Sequence, residues 1–101
     1  MSVSRKIKES PLRQGVDEQI AYALTTTPWG SSPSSVAVVV KDNNDADVSA
    51  NCLSGSASVS GDVITTPVVK SLVAGKRYRL EIRFTVSGNI CEAWAEMWGE
   101  E

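Results

Sequence analysis

The chain of 101 residues contains no histidine. This removes Ser-His and Cys-His nucleophile pairs and every His-ligated metal site. No glycine-rich phosphate loop is present. Cysteine is scarce: Cys52 and Cys91 are the only two. They are too few for a Cys-only zinc site, so no metal and no cofactor are expected. No apolar run approaches the roughly 18 residues of a membrane-spanning helix. The start, Met1 to Lys6, lacks an apolar core, so no secretory signal is expected, and the two thiols are read as reduced. A disulfide across the domain stays open as the alternative. Basic excess is also missing. The formal net charge is −2, which argues against a nucleic-acid partner.

Helical periodicity is absent too. What remains is a soluble composition, 42% hydrophobic and 22% charged, cut at short intervals by turn residues. These include Thr27-Pro28-Trp29-Gly30, Asp42-Asn43-Asn44-Asp45, Ser60-Gly61-Asp62, Ala74-Gly75-Lys76 and Ser87-Gly88-Asn89. Strands are expected over residues 6–10, 18–25, 35–41, 48–53, 56–59, 63–67, 77–86 and 90–98. Such a rhythm in a chain of this length predicts one all-β domain, an antiparallel sandwich of seven to eight strands. Residues 14–101 form that domain. Residues 1–13 read as an N-terminal edge strand or a mobile arm that orders on assembly, made basic by Arg5, Lys6, Lys8 and Arg13. The opposite end is acidic, with Glu92, Glu96, Glu100 and Glu101.

The last hairpin carries the most information. Tyr78, Leu80, Ile82, Phe84 and Val86 alternate with Arg77, Arg79, Glu81, Arg83 and Thr85. Cys91, Ala93, Ala95 and Met97 alternate with Ile90, Glu92, Trp94, Glu96 and Trp98. A two-residue turn at Gly88-Asn89 would set Phe84 opposite Ala93 and Leu80 opposite Met97 on the core side. On the outer side it would set Arg83 opposite Trp94, Arg79 opposite Trp98, and Glu81 opposite Glu96. A one-residue slip would put Phe84 against Glu92.

The outer ladder of Arg79, Arg83, Trp94 and Trp98 is the candidate protein interface, because Arg and Trp dominate interface hot spots. The bland alternative is that the arginines cover tryptophans which merely stiffen the sheet. Arg5, Lys6 and Lys8 of the arm form a second candidate contact. Trp29 reads as a cap on one end of the core. Asp42, Asp45 and Asp47 read as an acidic turn, since the spacing lacks the Gly and Glu of a calcium loop. Glu92 and Glu96 share a strand face without the cleft a glycosidase pair needs. The chain is expected not to be an enzyme, and no small-molecule substrate is assigned.

Several strings in order are also familiar. Ile20-Ala21-Tyr22 leads to Thr26-Thr27-Pro28-Trp29-Gly30, then Val36-Ala37-Val38-Val39-Val40-Lys41-Asp42. Ser56-Ala57-Ser58-Val59-Ser60-Gly61-Asp62-Val63-Ile64-Thr65 follows, then Lys70-Ser71-Leu72-Val73-Ala74-Gly75-Lys76-Arg77-Tyr78-Arg79-Leu80. Over residues 14–98 the series resembles small structural proteins of tailed bacteriophages and prophages, some grouped as fiber–tail adaptor-like. The resemblance implies an immunoglobulin-like sandwich located in the virion and made in the bacterial host cytoplasm. It implies a structural protein joining tail and fiber, or neighbouring virion components, through protein–protein contacts, and a homo-oligomer in the assembled particle. It supplies no catalytic or binding residues to carry over. Capsid cement or decoration is the nearest alternative, and a carbohydrate-binding module with exposed tryptophans is a further one.

Overall fold

The hairpin at residues 77–100 organises the molecule, and its turn sits one residue earlier than the Gly88-Asn89 reading. In a computed structural model of the chain, which describes residues 12–27 and 29–101, Ser87 (φ 49°) and Gly88 (φ 78°) form the two-residue connection. Positive φ at both central positions is the mirror-image turn that matches strand twist, and glycine accepts it without strain. The turn joins β8, Arg77–Val86, to β9, Asn89–Glu100, with Val86 opposite Asn89. Moving the turn by one residue moves every pairing by two. Phe84 therefore faces Cys91, Ile82 faces Ala93, Leu80 faces Ala95 and Tyr78 faces Met97. A shift of two keeps every side chain on its own face, so alternation alone could not distinguish the registers.

The remaining elements in chain order are β1 (Leu12–Gly15), β2 (Ala23–Thr25), β3 (Ser34–Asp42), α1 (Ser49–Cys52), β4 (Leu53–Ser54), β5 (Ser58–Ser60), β6 (Val63–Thr65) and β7 (Val68–Val69). One sheet has the order β1-β9-β8-β3 and the second β2-β6-β5, while β4 and β7 form a short pair. With β3-β8-β9 in one sheet and β2-β6-β5 in the other, the arrangement is that of an all-β, sandwich-like domain. The large sheet is mixed, because β1 runs parallel to β9, with Leu12 beside Met97 and Gly15 beside Glu100. The 13/14 boundary falls inside β1. The strand expected over 6–10 lies outside the described residues.

The two sheets close on a core in two parts. At the hairpin-turn end, Ile82, Phe84, Val86 and Ala93 meet Leu24 of β2 and Ile64 of β6. Trp29 packs there as a cap, its ring edge-on to Phe84 at 5.8 Å. At the other end, Val40, Tyr78, Leu80 and Met97 meet Cys52, Val69 and Leu72. Val38 borders both parts.

Two sequence expectations are corrected. The strand expected over 48–53 is met only at Leu53, which opens β4, because Asp47 Oδ1 accepts the Ser49 N–H at 2.9 Å and starts α1. Val48 packs on the core and Cys52 is buried within it, one helical turn apart. A spacing of four satisfies both a strand and a helix period, which is why alternation misread it. The strand expected over 18–25 is also interrupted. Ile20, Tyr22 and Leu24 do point inward, but Ile20 pairs with Val69 whereas β2 pairs with β6. Between them stands Pro67, which has no N–H. The Thr66 hydroxyl bridges the gap, accepting the Tyr22 N–H at 2.9 Å and donating to the Pro67 carbonyl at 2.8 Å.

Candidate functional site: the outer face of the four-stranded sheet

The outer face is built in rows across β3, β8, β9 and β1. The first row is Ala37, Arg83 and Glu92, and the second is Val39, Glu81 and Trp94. The third is Lys41, Arg79 and Glu96, and the fourth is Arg77, Trp98 and Arg13. The expected ladder is thus corrected: Arg83 lies opposite Glu92, and Arg79 lies opposite Glu96. The expected like-charge pair of Glu81 and Glu96 is replaced by cross-strand neighbours of opposite charge, a favourable arrangement on a sheet.

The arginine–tryptophan contacts survive in a different pairing. Arg79 reaches diagonally to Trp94, its guanidinium carbon 5.4 Å from the ring centroid. Trp98 is approached from both neighbouring strands, by Arg77 of β8 and Arg13 of β1, each at 5.0 Å. Such stacks are worth about 0.5–1 kcal/mol each at exposed sites. Both tryptophans are half-buried, so the arginines cover part of each ring. Trp98 Nε1 is shielded from solvent and has no hydrogen-bond partner among the described residues.

Charge on this face is woven through Glu81. Its carboxylate lies 3.5 Å from Arg79 and 3.8 Å from Lys41, and Lys41 also reaches Asp45 at 3.8 Å. At the other edge Arg13 contacts Glu100 at 3.3 Å. Beyond Trp98 the sheet ends in an open groove of about 600 Å³ lined by Arg13, Lys76, Arg77, Trp98, Glu100 and Glu101.

Of the residues chosen from sequence, Arg79, Trp94 and Trp98 lie in this array, and Arg83 occupies the same face one row above Trp94. Arg5, Lys6 and Lys8 lie outside the described residues. Arg77 and Arg13 were missed as ring partners. The signal for Arg77 was present, because alternation already turned it outward and only the register concealed its neighbour. Arg13 left no signal, since a four-residue parallel strand has no readable period.

A buried glutamine fixes Arg13 in place. Gln14 is 1% exposed. Its Nε2 donates to the Glu18 carbonyl at 2.9 Å and the Val69 carbonyl at 2.8 Å, and its Oε1 accepts from Tyr22 Oη at 2.7 Å. Every partner is met, so β1 is pinned against the second layer with Gln14 inward and Arg13 outward.

Groups with shifted ionisation lie off this face. Burial, then the charge of Glu18, raises the Tyr22 pKa. Burial raises the Cys52 thiol, and both Cys52 and Cys91 are free thiols. In the β3–α1 turn, N–H bonds from Ala46 and Asn44 hold Asp42 low, and the hydroxyl and N–H of Ser49 hold Asp47 low. These carboxylates are spent on shaping the turn.

No protein-family model, no curated protein and no solved structure matches the chain at a stringent significance threshold.

Proposed function

We propose that the chain is a non-catalytic protein-binding module that uses the outer face of its four-stranded sheet. The observation that carries this reading is the array of Trp94 and Trp98 with Arg13, Arg77 and Arg79 on a face that the second layer does not cover. Tryptophan and arginine give most to protein interfaces when they are held rigid, because less side-chain freedom is then lost on binding. The half-buried rings stacked on guanidinium groups meet that condition.

The setting we propose is a virion, with the chain as a structural adaptor joining tail and fiber components and present in several copies. Support for it is the ordered series of strings over residues 14–98. A sugar platform is less well supported, because guanidinium groups approach Trp98 from both neighbouring strands and Arg79 approaches Trp94.

The test has two parts. Quantitative mass spectrometry of purified particles should find the chain in of the order of ten copies; its absence removes the virion setting, and hundreds of copies would assign it to the capsid surface. Replacing Trp94 and Arg79 with serine in one variant should leave a folded, monomeric domain that no longer enters particles. Normal incorporation of that variant would overturn the interface.

A further inference from the structure

We propose that the open half of β3 is the seat of a symmetric dimer, in which Val36, Ala37 and Val38 pair antiparallel with the same residues of a second copy of this chain. β3 is an edge strand, hydrogen-bonded as a ladder only to β8. The two halves of its other side differ. Val40 turns its main chain away from β8: its N–H donates to Ser49 Oγ at 2.9 Å, and its carbonyl accepts the Val48 N–H at 2.9 Å. The segment that enters α1 therefore closes that half. Two and four residues earlier, alternation turns the N–H and carbonyl of Val38 and Val36 the same way. Among the described residues, no strand lies beside them on that side and no side chain bonds to them. An added strand completes such a row.

The open half also lacks charge. Natural edges are commonly guarded by charged side chains, lysine above all. None occurs from Gly30 to Val40, in a chain that is 22% charged. The first, Lys41, sits at the closed end and pairs with Asp45 and Glu81. Two other guards, Pro33 and a bulge between Ser34 and Ala37 with Ser35 at φ 51°, stand at the start of the strand.

Register selects the occupant. An edge open over so few residues admits only a short strand that bends soon after it. A second copy of β3 has that shape. With the two-fold axis at Ala37, Val36 exchanges both main-chain bonds with Val38 of the second copy, and Val38 does so with its Val36. Ser34 of one copy then comes level with Val40 of the other, where Ser49 already stands, and the bulge bends the strand there. An axis at Val38 would set Val36 against the occupied Val40, and one at Val36 would run the pairing through the bulge. On the inner face the Ala37 axis joins Val36 and Val38, both partly buried and packed on the core. On the outer face it sets Ala37 against Ala37, at the closely spaced kind of pair where a small side chain fits. An interface this short stays below about 1,200 Å² and is weak, so dimers form at millimolar and not at micromolar concentration. The pairing uses none of Trp94, Trp98 or the arginines stacked on them, so it and the outer-face interface can fail separately.

Amide exchange by NMR on the full chain, from micromolar to millimolar concentration, tests the pairing. The Val36 and Val38 amides face the open edge, whereas the Ala37 and Val39 amides face β8 and report the fold. Exchange at Val36 and Val38 should slow several-fold with concentration, and exchange at Ala37 and Val39 should not change. Rates at Val38 that do not depend on concentration would overturn the proposal. A charge swap fixes the register. Ala37→Lys and Ala37→Glu should each stay monomeric at millimolar concentration, because like charges then face each other across the axis. An equimolar mixture of the two should recover the dimer. Dimers that survive in both single variants would overturn the pairing, and so would a mixture that stays monomeric. Dimers lost in Trp94→Ser with Arg79→Ser would assign the contact to the outer face instead.

Discussion

Phe84 and Arg83 are adjacent in sequence and sit on opposite faces of one strand. Phe84 is 0% exposed, set between Trp29 and the second sheet, whereas Arg83 stands in solvent opposite Glu92. The same ten residues of β8 thus serve two physical environments. On the inner face, shape decides, and large residues of β8 meet Cys91, Ala93 and Ala95 on β9. On the outer face, charge and aromatic stacking decide, and two tryptophans replace the small residues. Packing on the inner face specifies the fold, and the outer face can vary its contents with little effect on it.

The sharpest way to break this contrast is to truncate the two neighbours separately. Phe84→Ala should cost about 3–5 kcal/mol, through lost burial and the cavity left behind. That is a large share of the roughly 5–15 kcal/mol available to a domain of this size. Arg83→Ala should cost less than about 0.5 kcal/mol. Urea midpoints of the two variants check both values. Equal losses would mean that the outer face contributes to stability as the inner one does.

Gly99→Ala probes where the two faces meet a third constraint. A Cβ at Gly99 would collide with the Val73 carbonyl oxygen, which is main chain and cannot rotate away. The 73–76 loop must then move, breaking the bonds between Gly99 and the main chain of Gly75 and Lys76. The expected cost is about 1–3 kcal/mol, as for overpacking in a core. Thermal unfolding checks it. NMR shifts should move in residues 73–76 and in β1, with the hairpin turn undisturbed.

How far the sequence disclosed this architecture follows from the same contrast. Regular alternation over ten residues located β8 and β9 and assigned every side chain to its face. Register escaped, because two registers differing by two residues bury the same set. Short elements escaped for a different reason. α1 holds four residues and β4 two, so their hydrogen bonds are set by Asp47, Ser49 and the neighbouring strands and not by any period. On the candidate site, the tryptophans and Arg79 were legible. Arg13 depends on Gln14, a polar residue whose burial only the assembled neighbours Glu18, Tyr22 and Val69 explain.

Gln14 therefore links the two faces, and its replacement sharpens the comparison at smaller amplitude. Gln14→Ala should cost about 1–3 kcal/mol, because the Tyr22 hydroxyl loses its partner and the Val69 carbonyl keeps only the Ile20 N–H. It should also loosen β1 and withdraw Arg13 from Trp98. Indole fluorescence should then change by the same amount in Gln14→Ala as in Arg13→Ala, although only the first variant loses appreciable stability. A fluorescence change confined to Arg13→Ala would show that β1 holds its place without the glutamine.

The smallest expected effect is on pH dependence, and it separates the Gln14 cluster from the rest of the core. Tyr22 donates its hydroxyl proton to Gln14 Oε1, and its pKa is raised above 10.0 by burial and then by the charge of Glu18. A raised pKa means that the folded state holds the proton more tightly than the unfolded chain. The associated stability is complete below the unfolded value of 10.0 and falls as pH rises through the folded value. A phenolate would face the Gln14 carbonyl oxygen with no proton between them. Tyr22→Phe leaves nothing to ionise, so its stability should fall less than that of the native chain as pH rises past 10.0. Its loss at neutral pH should be about 0.5–1.5 kcal/mol, the net value of one hydrogen bond. Urea titrations of both chains on either side of that pH decide the matter. Parallel declines would place the alkaline sensitivity elsewhere in the domain.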